Sequence, residues 1–472
     1  MTAAPTGQAK ERWPAFSGNF ASASDGLYGP VELAMKTRKK CWIIEKSGKT
    51  LLSVLAGMSL ALGTASAAGP ATCQQPSNPF ERGAARLMDR TPPECLPSET
   101  NNPVLRPLVE KWKHLPIESR RCPTIRSNHT VNLAVHIIRK APGRPVLVCL
   151  HGILADHLMW EYVAAALADD YEIWLVDLPG CGDSDAPKPS ALEPDGYSLT
   201  AMGERVWQAL RQCLATEGSD APRRLTLVGH SLGSSVIIRM LSAPALQSRY
   251  NSEAQRVDRA VLFAPCDLAI NAVPPSFLKL LGLKGGLVAI GKCLGVFDAK
   301  VRDLTKRSFQ DPPFAKLERQ QRYEHALSHF EHREAAKAML LQAVPFSLKT
   351  GRPQWKEIDA LVDDYANISA PVLIAYGTRD ETLSAAMGNK LKDEIPGAML
   401  VKVPRRGHAL PTEDPLVCAE LIQRFQQGRT PAELAAGLGV KIYPATAMLR
   451  SNPLLTTTAA PAPQTMSPVP GP

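Results

Sequence analysis

The five residues Gly229-His230-Ser231-Leu232-Gly233 carry the most legible chemistry in this chain. An apolar run, Leu225-Thr226-Leu227-Val228, precedes them, and a helix-compatible stretch from Ser234 to Leu241 follows. The order is strand, sharp turn, helix, and a Gly-x-Ser-x-Gly turn in that setting is a nucleophile elbow. Glycines on either side of the serine let strand and helix approach without a Cβ between them. The serine Oγ then stands above the sheet at a helix N-terminus, where developing negative charge is favoured. The five-residue pattern alone arises by chance in roughly one chain of this length in seven. Its meaning therefore depends on what else the chain supplies.

A serine hydroxyl is a weak nucleophile until a neutral imidazole takes its proton, and a carboxylate must hold that imidazole in the right tautomer. Both partners follow in the sequence. Pro371-Val372-Leu373-Ile374-Ala375-Tyr376 is a buried-strand pattern that runs into Gly377-Thr378-Arg379-Asp380. Ala398-Met399-Leu400-Val401-Lys402-Val403 leads into Arg405-Arg406-Gly407-His408. Asp380 is the candidate acid and His408 the candidate base. Asp267, in Phe263-Ala264-Pro265-Cys266-Asp267 after the preceding strand, is the competing acid. An oxyanion hole needs two backbone N–H groups, one after the nucleophile and one from an upstream turn. Upstream, Val146-Leu147-Val148-Cys149-Leu150 ends in His151-Gly152-Ile153, so the candidates are the N–H groups of Leu232 and Ile153. His151 and His230 read as structural neighbours of these turns. Asp177 and Asp183, in the turn-forming stretch Asp177-Leu178-Pro179-Gly180-Cys181-Gly182-Asp183-Ser184, read as turn-stabilising acceptors. Cys149 reads as core packing.

Four motifs stand in one order: His-Gly, Asp-x-x-Gly-x-Gly-x-Ser, Gly-His-Ser-Leu-Gly, and Gly-x-x-Asp with a later Gly-His. In them the chain resembles the serine hydrolases of the α/β-hydrolase superfamily, in their esterase-like single-domain-plus-cap form, over about Arg121 to Gln427. The resemblance implies an α/β-hydrolase fold. That is a mostly parallel twisted sheet with helices on both faces and an inserted helical cap. It also implies a carboxylic ester hydrolase acting through a Ser231-His408-Asp380 triad and an acyl-enzyme, with no cofactor and no metal. Acyl transfer or C–C bond hydrolysis on the same scaffold is the alternative chemistry. A non-catalytic binding protein of this fold is the alternative outside chemistry. The single His-Gly argues against the branch with a three-glycine oxyanion turn. A serine nucleophile argues against relatives that use a carboxylate. Cys181 stands where many relatives carry histidine or an aromatic residue.

The elements that must position these residues divide the chain. Residues 116–267 form the first part of the expected core, 268–353 a helical cap and 354–430 the second part. The cap reading rests on about a hundred residues between two core strands, where the fold needs one helix. Its second half, Phe314 to Leu341, is rich in helix formers. Within the cap, Phe277 to Ile290 is apolar with intermittent lysines. A helix packed on the pocket is expected there, and an interfacial lid making transient lipid-surface contact is the alternative. His325, His329 and His332 fall at i, i+4 and i+7. Without a cysteine or acidic ligand at matching spacing they read as a solvated cap face rather than a metal site.

The chain has 472 residues and a formal net charge of +9. Eight Lys/Arg against four Asp/Glu lie in residues 1–67, so the remainder carries only +5. No basic stripe with interleaved aromatics occurs, which argues against nucleic acid as partner and leaves a small-molecule ester or acyl substrate. Met35-Lys36-Thr37-Arg38-Lys39-Lys40, the apolar Leu51 to Gly63 and Ala65-Ser66-Ala67 read as a secretory signal peptide cleaved near Ala67. The protein is thus expected to be exported, periplasmic or secreted. An uncleaved anchor over 51–67 is the alternative, although its apolar core is shorter than the ~20 residues a span needs. Residues 68–115 read as an irregular Cys/Pro-containing extension and 431–472 as a low-complexity tail expected to be disordered. Nine of the ten cysteines follow the cleavage point, and their pairing is not readable from spacing. The oligomeric state is equally unreadable.

Overall fold

Uninterrupted apolar runs become strands buried on both faces, and these strands hold the site. In the computed structural model, residues 103–139, 143–189, 192, 194–216, 223–266, 330–345 and 354–444 are described. They form one nine-stranded sheet of order β1-β2-β4-β3-β5-β6-β7-β8-β9. The strands are β1 Ile117–Arg126, β2 His129–Ile138, β3 Val146–Leu150, β4 Glu172–Val176, β5 Leu225–His230, β6 Val257–Phe263, β7 Val372–Gly377, β8 Met399–Val403 and β9 Lys441–Tyr443. From β4 to β8 every neighbouring pair is parallel, whereas β1, β2 and β9 pair antiparallel at the edges. This is the α/β-hydrolase fold that the motif order implies.

The longer helices are α1 Arg106–Lys113, α2 Glu161–Leu167, α3 Leu199–Ala215, α4 Leu232–Ser242, α5 Phe330–Ala343, α6 Trp355–Asp363, α7 Ala386–Glu394 and α8 Pro415–Gln426. Side chains alternate across each strand, so one run of residues feeds two cores. Val146, Val148 and Leu150 join α3 and α4 residues such as Trp207 and Val236 on one face. Leu147 and Cys149 join α2 and α8 residues such as Val163 and Phe425 on the other. Burial pushes the Cys149 thiol far above its ordinary range, as packing rather than reactivity would have it.

Two boundaries and one hairpin differ from the sequence reading. Residues 106–113, inside the stretch expected to be irregular, form α1. Leu105 and Leu108 bury against Tyr162 and Ala165 of α2 and against Ala409. The core also runs past residue 430, because β9 adds an edge strand to β8. β1 and β2 form a hairpin that the sequence reading did not identify. Ser127 and Asn128 both take positive φ in its turn, as a tight hairpin requires. Of the expected cap, α5 is described. It packs on the loop after β4 so closely that a Cβ on Gly180, at φ 80°, would lie 2.3 Å from Ala335 Cβ. His332 is half-buried rather than on a solvated face, and its Nδ1 donates to the Gly180 carbonyl at 2.9 Å. His325, His329 and the Phe277–Ile290 stretch lie outside the described residues. So do the signal-peptide region, Cys73, Cys95 and residues 445–472. No helix among the described residues is long and apolar enough to cross a membrane.

Candidate active site

Parallel strands expose their carboxyl ends on one edge of the sheet, which is where ligands bind in open α/β folds. The candidate residues sit there, after β3, β5, β7 and β8. Ser231 follows β5 directly and has φ 49° and ψ −117°. A non-glycine residue held there costs about 1–3 kcal/mol, so its surroundings must impose it. They do so through the backbone. Ser231 N–H donates to Phe263 O on β6 at 2.9 Å, and Ser231 O accepts from Ser235 N–H at 3.2 Å. The flanking glycines are sterically required. A Cβ on Gly229 would lie 2.7 Å from Ser234 Cα, and one on Gly233 would lie 2.4 Å from Leu150 O. The second approach seats the start of α4 against the end of β3.

That contact brings the two candidate oxyanion donors to the same edge. Leu232 is the first residue of α4, where N–H groups have no intrahelical acceptor. Ile153 lies in the turn after β3, and a Cβ on Gly152 would reach Ser231 Cβ at 3.2 Å. His151 orients this turn. Its Nε2 accepts the Leu178 N–H at 3.0 Å, so its proton is on Nδ1, which donates to Gly152 O at 2.7 Å. Burial holds its pKa below the ordinary histidine value, so the imidazole stays neutral in this one tautomer. Across a trans peptide the C=O and the next N–H point opposite ways. Fixing Gly152 O on His151 therefore turns the Ile153 N–H away from His151.

Asp380 and His408 meet. His408 Nδ1 lies 2.8 Å from Asp380 Oδ2, and the aspartate side chain is fully buried. Asp380 Oδ1 accepts the N–H groups of Thr382 and Leu383 at 2.8 and 2.7 Å, which aims Oδ2 at the imidazole. The loops after β7 and β8 are stapled together to make this possible. Arg379 N–H donates to Arg406 O at 2.9 Å, and Thr378 Oγ1 accepts Arg405 N–H at 3.0 Å. His230 supplies the link to the elbow. Its Nε2 donates to the His408 carbonyl at 2.9 Å, and the two rings lie 4.9 Å apart. Burial and the neighbouring His408 push the His230 pKa well below its ordinary value, so it places no second charge beside the base. The residue before Ser231 thus fixes the main chain of His408, a role the sequence did not disclose. Asp267, the competing acid, lies outside the described residues.

The Gly377 position gives a test of the stapling. A Cβ there would lie 2.2 Å from Arg406 O and 2.3 Å from Gly407 O. Gly377→Ala is expected to push the loops apart, destabilising the protein by about 1–3 kcal/mol and lowering turnover by disturbing the Asp380–His408 pair. A thermal melt beside an ester assay checks this. An unchanged melt with unchanged turnover would mean that the loops have slack.

A model of the family described as the alpha/beta hydrolase family matches residues 147–421. This is more than half of the chain, which therefore belongs to the α/β-hydrolase family and is a hydrolase. The chain is 22% identical over 291 residues to the hydrolase YugF of Bacillus subtilis, covering 60% of this chain and 90% of that one. It is 27% identical over 294 residues to a pimeloyl-acyl-carrier-protein methyl ester esterase of Aeromonas hydrophila, covering 62% and 99%. Among solved structures it is similar to a thermophilic esterase of Thermogutta terrifontis, at 18% identity, TM-score 0.47 and coverage of 66% and 98%.

Proposed function

We propose that this protein is an exported serine hydrolase that cleaves a carboxylic ester or related acyl compound. The observation that carries the reading is the buried Asp380–His408 hydrogen bond, anchored through His230 to the strained turn at Ser231. Ser231 Oγ attacks the acyl carbonyl while His408 Nε2 takes its proton. Asp380 keeps the other imidazole proton on Nδ1 and stabilises the imidazolium. The N–H groups of Leu232 and Ile153 receive the oxyanion. His408 then returns the proton to the leaving alcohol. Water, activated by the same imidazole, releases the acid from the acyl-enzyme. Every step uses groups of this chain and asks for no cofactor. The relative named for methyl ester hydrolysis supports an ester as substrate class. The signal-like segment ending near Ala67 supports export.

A fluorophosphonate probe followed by a panel of esters of graded acyl length tests the reading. The expected result is one covalent label on Ser231 and release of free acid from at least one ester class. No label on folded protein would point to a binding protein of this fold. A label with acyl transfer to an added amine or alcohol, and no free acid, would replace hydrolysis by transfer.

A further inference from the structure

The outer edge of the sheet carries a pair of nucleophilic side chains that the reaction above does not use. Cys122 on β1 and Cys213 on α3 are buried and meet, with their Sγ atoms 3.9 Å apart. Both are thiols in the structure. They stand 91 positions apart in the chain, so no spacing rule joins them. We propose that these two cysteines form an intramolecular disulfide that fastens the edge strand β1 to α3 in the exported protein. The proposal takes its oxidising compartment from the exported reading above.

The contacts around the pair hold it in register. Among the described strands β1 pairs with β2 alone, and α3 side chains serve its outer backbone. Gln208 Oε1 accepts the Ile125 N–H at 2.7 Å, and Gln208 Nε2 donates to Ile125 O at 2.9 Å. Gln212 Nε2 donates to Pro123 O at 2.8 Å, and Arg120 Nη1 donates to Thr216 Oγ1 at 2.6 Å. The last two bonds flank the cysteines on both sides, so the meeting of the sulfurs follows from how strand and helix are seated. A disulfide bond is ~2.05 Å long, which leaves about 1.9 Å to close, shared between two side chains. The chemistry is prepared as well. The hydrogen bond with Cys213 holds the Cys122 thiol below its ordinary range, with help from the Arg120 guanidinium and against the opposing effect of burial. Burial raises the Cys181 and Cys418 thiols instead. Thiolate is the form that attacks, and the sheet edge, where local opening is easiest, gives an oxidant access. Cys122 Sγ attacks one sulfur of a small-molecule or protein disulfide, whose other sulfur leaves with the bonding electrons and takes up a proton. Cys213 gives up its proton, attacks Cys122 Sγ and expels the second sulfur as a thiol. The pair thus loses two protons and two electrons, and the S–S bond of the oxidant becomes two S–H bonds. Cys149 and Cys418 lie in the core on the other face of the sheet and do not intercept the exchange.

Incubation of the purified full chain with oxidised glutathione, followed by alkylation in denaturant, tryptic digestion and mass spectrometry, tests the pair. Cleavage after arginine leaves the two cysteines in peptides 122–126 and 212–223, neither of which holds another cysteine. The two peptides are expected to be joined, and dithiothreitol to separate them. Oxidation is also expected to raise the melting temperature of the parent by about 4–8 °C and to leave that of Cys213→Ser unchanged. Cys122→Ser serves as the second variant, and the peptide map of the parent decides the question even if neither variant folds. Both cysteines found alkylated, a glutathione adduct left on Cys122, or either cysteine joined to a third overturns the proposal. A joined pair with an unchanged melt would overturn the fastening of β1. Glutathione supplies the oxidant in the test tube, so this result does not depend on export. Fractionation of cells that express the full chain tests the exported reading separately.

Discussion

Ser231→Ala is expected to reduce ester turnover by about 10⁴–10⁶-fold, because the members of a triad act as a unit and the nucleophile cannot be replaced by its partners. The fold should survive. Alanine keeps a Cβ and meets the same φ of 49°, held by the same bonds to Phe263 and Ser235, so neither packing nor strain changes much. Ser231→Gly is the informative companion. It is equally inactive, but it can take a positive φ without cost and is expected to be more stable than Ser231→Ala by about 1 kcal/mol. Turnover on the best ester of the panel, with melts of all three proteins, checks both parts. More than a tenth of the parent's turnover in folded Ser231→Ala would remove the serine from the mechanism. A glycine variant less stable than the alanine one would mean that the turn is not strained.

Asp380→Asn is expected to cost about 10⁴-fold in turnover with little change in fold. The asparagine carbonyl can keep the bonds from Thr382 and Leu383 N–H, which then points its amide NH₂ at His408 Nδ1. Nδ1 must become an acceptor, and the proton moves to Nε2, the atom that has to receive the serine proton. The imidazole is held in place but in the wrong tautomer. Asp267→Asn should change turnover far less. Rates of the two variants on one substrate decide between them, and a reversed ranking would assign the acid to Asp267.

Much of this protein is determined by the sequence alone. The strands from β3 to β8 are written as apolar runs because a parallel sheet covered on both faces cannot tolerate polar alternation. The elbow is written as Gly229 and Gly233 because no other residue fits within 2.7 Å of the Ser234 backbone or 2.4 Å of the Leu150 carbonyl. The order of Ser231, Asp380 and His408 is legible because each must end a strand at the same edge of the sheet. Less was legible at the borders. The Ser127-Asn128 hairpin carries no glycine to announce it, α1 is a helix because α2 offers it an apolar face, and β9 is a strand because β8 has an open edge.

Only the tertiary structure decides which side chains hold which main-chain atoms. His230 reads in sequence as a filler of the elbow. Its bond to the His408 carbonyl joins residues 178 positions apart, and no local pattern encodes that. The tautomer of His151 follows from the Leu178 N–H, which belongs to a different loop. The convergence of His136 and His157 on Asp177 and Asp183 is likewise invisible along the chain. Their spacing follows no motif, because the sheet order β2-β4-β3 brings a strand and two separate connections together. Periodicity and turn chemistry act over a few residues and are written locally. Hydrogen bonds between loops at the sheet edge depend on strand order and helix packing, so they exist only once the chain has folded.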